Sequence, residues 1–172
     1  LEPYFKDLIE TKTNKKILQY PFMRISYTDA LDKYGSDKPD VRFGLKLTNL
    51  EVPMKKGSME VLKSLESVKG LVLNITLTRK EQDELIEKVK QQGAKGLLVI
   101  PMIDGVFQGS LAKFFDESVQ KEVVELLNGN EYEINGEQTL LCIAGPKKET
   151  DKQMGWLRLY LRDTYKLVDS NV

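Results

Sequence analysis

At 172 residues the chain has the length of a single domain, enough to bury about 70% of its unfolded surface around one core. Its 26 Lys and Arg balance 26 Asp and Glu, so no overall basic field recruits nucleic acid and no acidic excess recruits a basic partner; any such contact has to be local. Histidine is absent, which removes the commonest general base and metal ligand, and the lone Cys142 has neither a disulfide partner nor a histidine to activate it.

Cys142 lies in the run Leu140-Leu141-Cys142-Ile143-Ala144 and reads as a small core residue in a reducing compartment. No apolar stretch approaches the roughly 20 residues that span a bilayer and no signal peptide opens the chain, so the expectation is a soluble, cytoplasmic protein without a membrane partner. The start at Leu1, running straight into a helical pattern, suggests an excised piece of a longer polypeptide.

Leu1, Phe5, Leu8 and Ile9 share one face of a helix over Leu1 to Thr11, with Pro3 tolerated in its first turn. That face needs a partner, expected to be the remainder of the chain or a second copy of it. Thr13-Asn14-Lys15-Lys16 is a polar connector, and Pro21 to Ile25 is short and extended. Ser26 then caps a brief helix carrying Ala30, Leu31 and Tyr34, which Gly35 stops.

Tyr34-Gly35-Ser36-Asp37-Lys38-Pro39-Asp40-Val41-Arg42-Phe43 concentrates acids, bases, glycine and proline, and so forms a shaped loop, the seam between two structural units. Beyond it, Phe43, Leu45 and Leu47 alternate with polar or small residues, which predicts a strand over Arg42 to Leu47. Pro53 to Gly57 reads as a basic loop, Ser58 opens a helix with Val61, Leu62, Leu65 and Val68 inward, and Gly70 to Ile75 is a strand. Thr78-Arg79-Lys80-Glu81 is a capping box that starts a helix with Leu85, Ile86 and Val89 inward and Gly93 at its end.

Leu97 to Ile100 is a short apolar strand closed by Pro101, and Asp104-Gly105 turns into a strand over Val106 to Leu111. Asp116 caps a helix with Val119, Val123, Leu126 and Leu127 inward; Gln138 to Gly145 is a strand, Thr150 to Leu161 a helix, and Lys166 to Val168 an extended end. Alternating strands and helices with at least one antiparallel pair give an α+β fold: a two-layer sandwich with a mainly antiparallel sheet, helices on one face and an N-terminal helical flank.

Chemistry is sparse. Gly93 and Gly96 frame only Ala94-Lys95, too little for a phosphate loop, and no carboxylate run has calcium-loop spacing, so no metal site is expected. Asp37 and Asp40 are spaced for a paired acid and base, yet Ser-Asp-Lys-Pro-Asp is also ordinary turn chemistry, and the turn reading is preferred. Lys95, Lys113, Arg158 and Arg162 are candidate phosphate contacts, the last two a helical turn apart, although scattered cations on a balanced surface are commonly just solvated. Trp156 and Tyr160, also a turn apart, are expected to pack rather than to stack on a base.

The run Pro21-Phe22-Met23-Arg24-Ile25-Ser26-Tyr27-Thr28-Asp29-Ala30, followed by Tyr34 to Phe43, resembles the segment leading out of the catalytic core in bacterial-type aspartyl-tRNA synthetases. Leu77-Thr78-Arg79-Lys80, Gly93-Ala94-Lys95-Gly96-Leu97, Ala112-Lys113-Phe114 and Gly155-Trp156-Leu157-Arg158-Leu159 then resemble, in order, the GAD insertion that these synthetases share with certain tRNA-dependent amidotransferase subunits. The step from Arg24 to Ile25 and a shortened connection after Asp104 depart from the family pattern.

The resemblance implies a core flank over residues 1–47, the GAD insertion over 48–168 and a tail over 169–172. It implies no catalytic residue and no cofactor in this chain, with ATP and Mg²⁺ bound by a parent ligase that acts as a homodimer on tRNA. The rest of that catalytic core is the implied partner. Ser36, Asp37, Lys38, Asp40 and Arg42 are its hinge, active-site-facing or tRNA-facing candidates. The alternatives are a GAD module of an amidotransferase subunit, or a protein-interaction domain without RNA contact.

Overall fold

A computed structural model of the chain describes residues 1–15, 17 and 19–168. Its elements run α1 (Glu2–Lys12), α2 (Tyr27–Tyr34), β1 (Thr48–Asn49), α3 (Glu51–Lys56), α4 (Glu60–Lys63), β2 (Ser67–Leu73), α5 (Arg79–Gln91), β3 (Leu98–Ile103), β4 (Val106–Phe107), a 3₁₀ turn (Ala112–Phe114), α6 (Glu117–Gly129), β5 (Glu137–Gly145) and α7 (Lys147–Thr164). Lys16 of the polar connector and the tail at 169–172 lie outside the described residues.

The fold is α+β, with one antiparallel five-stranded sheet in the order β1-β2-β5-β3-β4. The central pair, β2 and β5, holds register from Ser67↔Gly145 to Leu73↔Thr139. Every residue of β2 is buried, as expected of a strand covered on both faces.

On one face Leu71, Leu73, Leu141 and Ile143 join Leu85 and Val89 of α5 and Met154, Leu157 and Leu161 of α7. This is the sandwich layer that the apolar stripes of those helices predict. A second helical layer, absent from the sequence-based expectation of helices on one face, covers the opposite side. There Val68, Val72, Leu140 and Cys142 meet Met54 of α3, Leu62 of α4 and Val119, Val123 and Leu127 of α6. Cys142 is fully buried, and burial pushes its thiol well above the ordinary range, consistent with a core role.

Local signals set most boundaries. Thr78 and Glu81 form the capping box, Asp116 accepts from the Val119 amide at 3.0 Å, and Ser26 accepts from the Asp29 amide at 3.0 Å. Asp104 and Gly105 both take positive φ, 50° and 81°, the turn that joins β3 to β4. β3 continues through Pro101 to Ile103, and β4 stops at Phe107.

Where long-range pairing competes with local pattern, pairing wins. The helix expected from Ser58 is only α4, because Val68 is drawn into β2 opposite Ala144; Val61 is consequently exposed. Pro53 to Gly57 belongs mostly to α3, with Pro53 and Met54 buried. The end expected to be extended instead turns, with Lys166 at φ 51°.

α1 forms as the pattern predicts, but among the described residues its apolar face is left uncovered. It buries no residue, and Phe5 and Leu8 remain 48% and 39% exposed. Beyond the helix, Glu2 accepts from the Phe22 amide and from Arg24, each at 3.3 Å.

α2, by contrast, docks tightly on α7. Gly35, at φ 68°, meets Gly155 so closely that a Cβ on Gly155 would stand 2.7 Å from the Gly35 carbonyl oxygen. Replacing Gly155 by alanine should therefore destabilise the fold by about 2–3 kcal/mol. Urea unfolding checks this; an unchanged midpoint would show that α2 and α7 do not touch there.

Candidate functional site

The face where residues 27–47 meet β2 and α7 gathers buried charged and polar groups. It is built around Arg158. This residue is 1% exposed, four positions after Met154 and three before Leu161 on the inward stripe of α7. Its Nε donates to the Leu45 carbonyl at 3.0 Å, and its Nη2 donates to the carbonyls of Phe43 at 3.0 Å and Gly44 at 2.8 Å. The guanidinium also lies over Tyr34, 4.9 Å from the ring centroid, and Phe43, at 3.9 Å. Burial pulls its pKa down, opposed by the fields of Asp40 and the nearby tyrosines.

This arrangement corrects two expectations. Arg158 does not reach a phosphate, because its guanidinium is buried and committed to main-chain carbonyls. The strand expected over Arg42 to Leu47 does not form before Thr48, because Leu45 adopts φ 59° and three successive carbonyls turn toward Arg158 instead of a neighbouring strand. Tyr132, in the loop after α6, bridges the resulting gap. Its hydroxyl donates to the Lys46 carbonyl at 2.7 Å, and burial raises its pKa, opposed in part by the Val72 backbone. Asn130 Nδ2 donates to the Leu47 carbonyl and the Thr48 hydroxyl, each at 2.9 Å.

One turn farther along α7, Arg162 Nη1 donates to Asp40 Oδ2 at 2.9 Å and the same residue pairs with Asp163. Asp40 also accepts from Arg42 Nε and Nη2, each at 2.9 Å, and from the Arg42 amide at 3.1 Å. The Arg42 hydrogen bonds, reinforced by Arg162 and only partly opposed by burial, hold the Asp40 carboxyl far below the usual range. Asp163 first, then Asp40, pushes Arg162 up. A carboxylate held so firmly by cations is a poor general base at neutral pH, so the structure supports the turn reading over a paired acid and base.

The other candidates scatter. Ser36 accepts from the Lys38 amide at 3.1 Å, a local turn, while Asp37 and Lys38 are exposed. Lys95 is exposed beside Ala94 and Leu97 of the α5–α7 layer; Lys113 is exposed near Phe115 of the opposite layer, 5.2 Å from the Phe114 centroid. The four cations proposed for phosphate thus form no single patch. Trp156 and Tyr160 stack on each other at 5.1 Å and pack against the core, as expected.

Residues missed in the sequence complete the face. Lys69 of β2 is fully buried, 2.7 Å from Asp32 of α2 and 2.8 Å from Asp151 of α7. Burial works against ionisation of Asp32, but Lys69 outweighs it and lowers its pKa. The signal was present: Lys69 is the one charge inside the apolar run Val68 to Leu73, and such a charge requires a partner. Beside the seam lies a groove of about 620 Å³ between Phe43–Lys46 and Val72–Ile75, with Asn130–Glu133, Tyr165 and Leu167 along its rim. Among the described residues no group of three or more His, Cys, Asp or Glu is placed to hold a metal, and no helix is long and apolar enough to cross a membrane.

Residues 59–154 match the family model of the GAD domain. The chain belongs to the GAD domain family. It is also 36% identical over 162 residues, 90% of its length, to the aspartate–tRNA(Asp/Asn) ligase of Persephonella marina, covering 26% of that protein. The aspartate–tRNA(Asp/Asn) ligase of Aquifex aeolicus is 36% identical over 97% of the chain, and the aspartate–tRNA ligase of Lactococcus lactis subsp. cremoris is 36% identical over 87%. The chain spans about a quarter of each: 27% of the Aquifex protein and 25% of the Lactococcus protein. These relatives extend the similarity through the seam and α2, beyond the family match itself.

The electrostatics predict an acid response. Because the folded pKa of Asp40 is depressed, its contribution is complete above the unfolded carboxylate range near about 4 and is lost as pH falls through the folded value. Carboxyl ¹³C NMR should find Asp40 still ionised at about pH 3, where free aspartate is largely protonated. Titration near the ordinary value would mean that the contacts with Arg42 and Arg162 do not persist in solution.

Proposed function

We propose that this chain is the insertion domain of an aspartyl-tRNA synthetase together with the flank that joins it to the catalytic core, serving as a tRNA-facing accessory of the ligase. The carrying observation is a GAD-family match accompanied by similarity to bacterial aspartate–tRNA ligases that runs through the flank, up to 97% of the chain. Similarity on both sides of the seam supports the synthetase over an amidotransferase subunit. The uncovered face of α1 supports a packing partner outside this chain, namely the remaining core.

In this reading the Asp40 turn is structural, and activation of aspartate belongs to the rest of a homodimeric, cytoplasmic enzyme. ATP and Mg²⁺ are assigned to that remainder, because this chain has no phosphate loop and no described carboxylate cluster that fits a metal. Exposed cations such as Lys95 and Lys113, and the rim of the seam loop at Ser36 to Lys38, are the surfaces offered to tRNA.

Incubated with aspartate, ATP, Mg²⁺ and tRNA, the chain should form neither aspartyl-adenylate nor charged tRNA. Turnover would contradict the assignment of catalysis elsewhere. Weak tRNA binding should fall about tenfold or more between about 50 and 200 mM salt. Binding that ignores salt, or none at the lower salt, would favour a protein-interaction domain.

A further inference from the structure

We propose that residues 26–47 are a rigid strut of the domain rather than a hinge beside it, with Arg158 and Arg162 as the positioning residues that fix the Ser36–Arg42 loop against α7. A hinge needs positions free to change φ and ψ. The two residues with left-handed backbone in this stretch are both caught: Gly35 lies against Gly155, and the carbonyl of Leu45 is held by Arg158.

Attachments follow one another along the segment. Asp32 meets buried Lys69, the Lys33 carbonyl accepts from the Leu47 amide at 2.8 Å, Asp40 meets Arg162, and the carbonyls of residues 43–47 are taken by Arg158, Tyr132 and Asn130. These contacts reach β2, α7 and the loop after α6, so movement of the strut alone would break polar bonds in several places. Charge-assisted bonds of this kind are costly to lose when their partners are buried. α1 contrasts with this stretch: it buries nothing, and its contacts with described residues include Tyr20, Phe22 and Arg24. Displacement of α1 therefore leaves residues 26–47 in place.

For the regulation of the proposed ligase, and resting on that reading, any shift of the domain is delivered undamped to the Ser36–Arg42 loop. The seam transmits motion instead of absorbing it.

Limited trypsin digestion of the full chain tests the strut without tRNA or substrate, so its outcome is separable from that of the charging assay. Lys12, Lys15 and Arg24 precede the strut; Lys33, Arg42 and Lys46 lie within it, and Lys38 is followed by Pro39. The first cuts should fall before Ser26, with Arg42 resistant. Arg158→Met should accelerate cleavage after Arg42 by about tenfold or more while cuts in α5 keep their rate. If that variant accelerates every site by unfolding, Arg162→Gln, which leaves the buried Arg158 in place, decides: faster cleavage at Arg42 alone supports the strut. Wild-type cleavage at Arg42 as fast as at Arg24, or an unaltered rate at Arg42 in the deciding variant, overturns it.

Discussion

The guanidinium of Arg158 is the interaction on which the rest of this structure depends. Burying a cation costs several kcal/mol unless hydrogen bonds and nearby charge compensate. Here the compensation is unusual in kind, since the direct partners are three consecutive neutral carbonyls and two aromatic faces, with Asp40 adding its field from a distance. Each side solves the other's difficulty. The carbonyls of residues 43–45 have left the sheet and need donors, while the guanidinium has left water and needs acceptors. Lysine could not replace it, because a compact ammonium lacks the planar fork that reaches successive carbonyls while stacking on rings.

Lys69 repeats the logic on the same face of the sheet. It extends from β2 toward α2 and α7, where Asp32 and Asp151 receive it. Lys69, inside the family match over residues 59–154, and Arg158, just beyond its end, thus both find partners among residues 32–45, upstream of that match. The charges on Lys69 and Arg158 are electrostatically incomplete without that upstream stretch. That dependence gives physical meaning to similarity with aspartate–tRNA ligases extending across the seam.

Much of the fold was legible because its signals are local. Capping at Ser26, Thr78 and Asp116 and the Asp104-Gly105 turn each rest on a few adjacent residues, and the stripes of α5, α6 and α7 on helical periodicity. Illegible features required knowledge of distant neighbours. Nothing near Val68 reveals that β5 will claim it, and the alternation of Phe43, Leu45 and Leu47 reads as a strand until Arg158, more than a hundred residues later, captures the carbonyls. The site divided the same way. The turn character of Asp40 was readable, its bond to Arg162 was not, and Arg158 was misread because a cation's type is visible in sequence while its burial is not. Its place between Met154 and Leu161 on the apolar stripe was the available clue.

The most direct test follows the Arg158 side chain itself. Hydrogen exchange at its Nε–H, measured by ¹⁵N NMR in the full chain, can be compared with that of Arg79, whose side chain is 86% exposed. If Arg158 is the buried clasp described, its Nε–H exchanges at least about a hundredfold more slowly than that of Arg79. Exchange at the same rate would mean that water reaches the guanidinium freely, and the clasp would not exist.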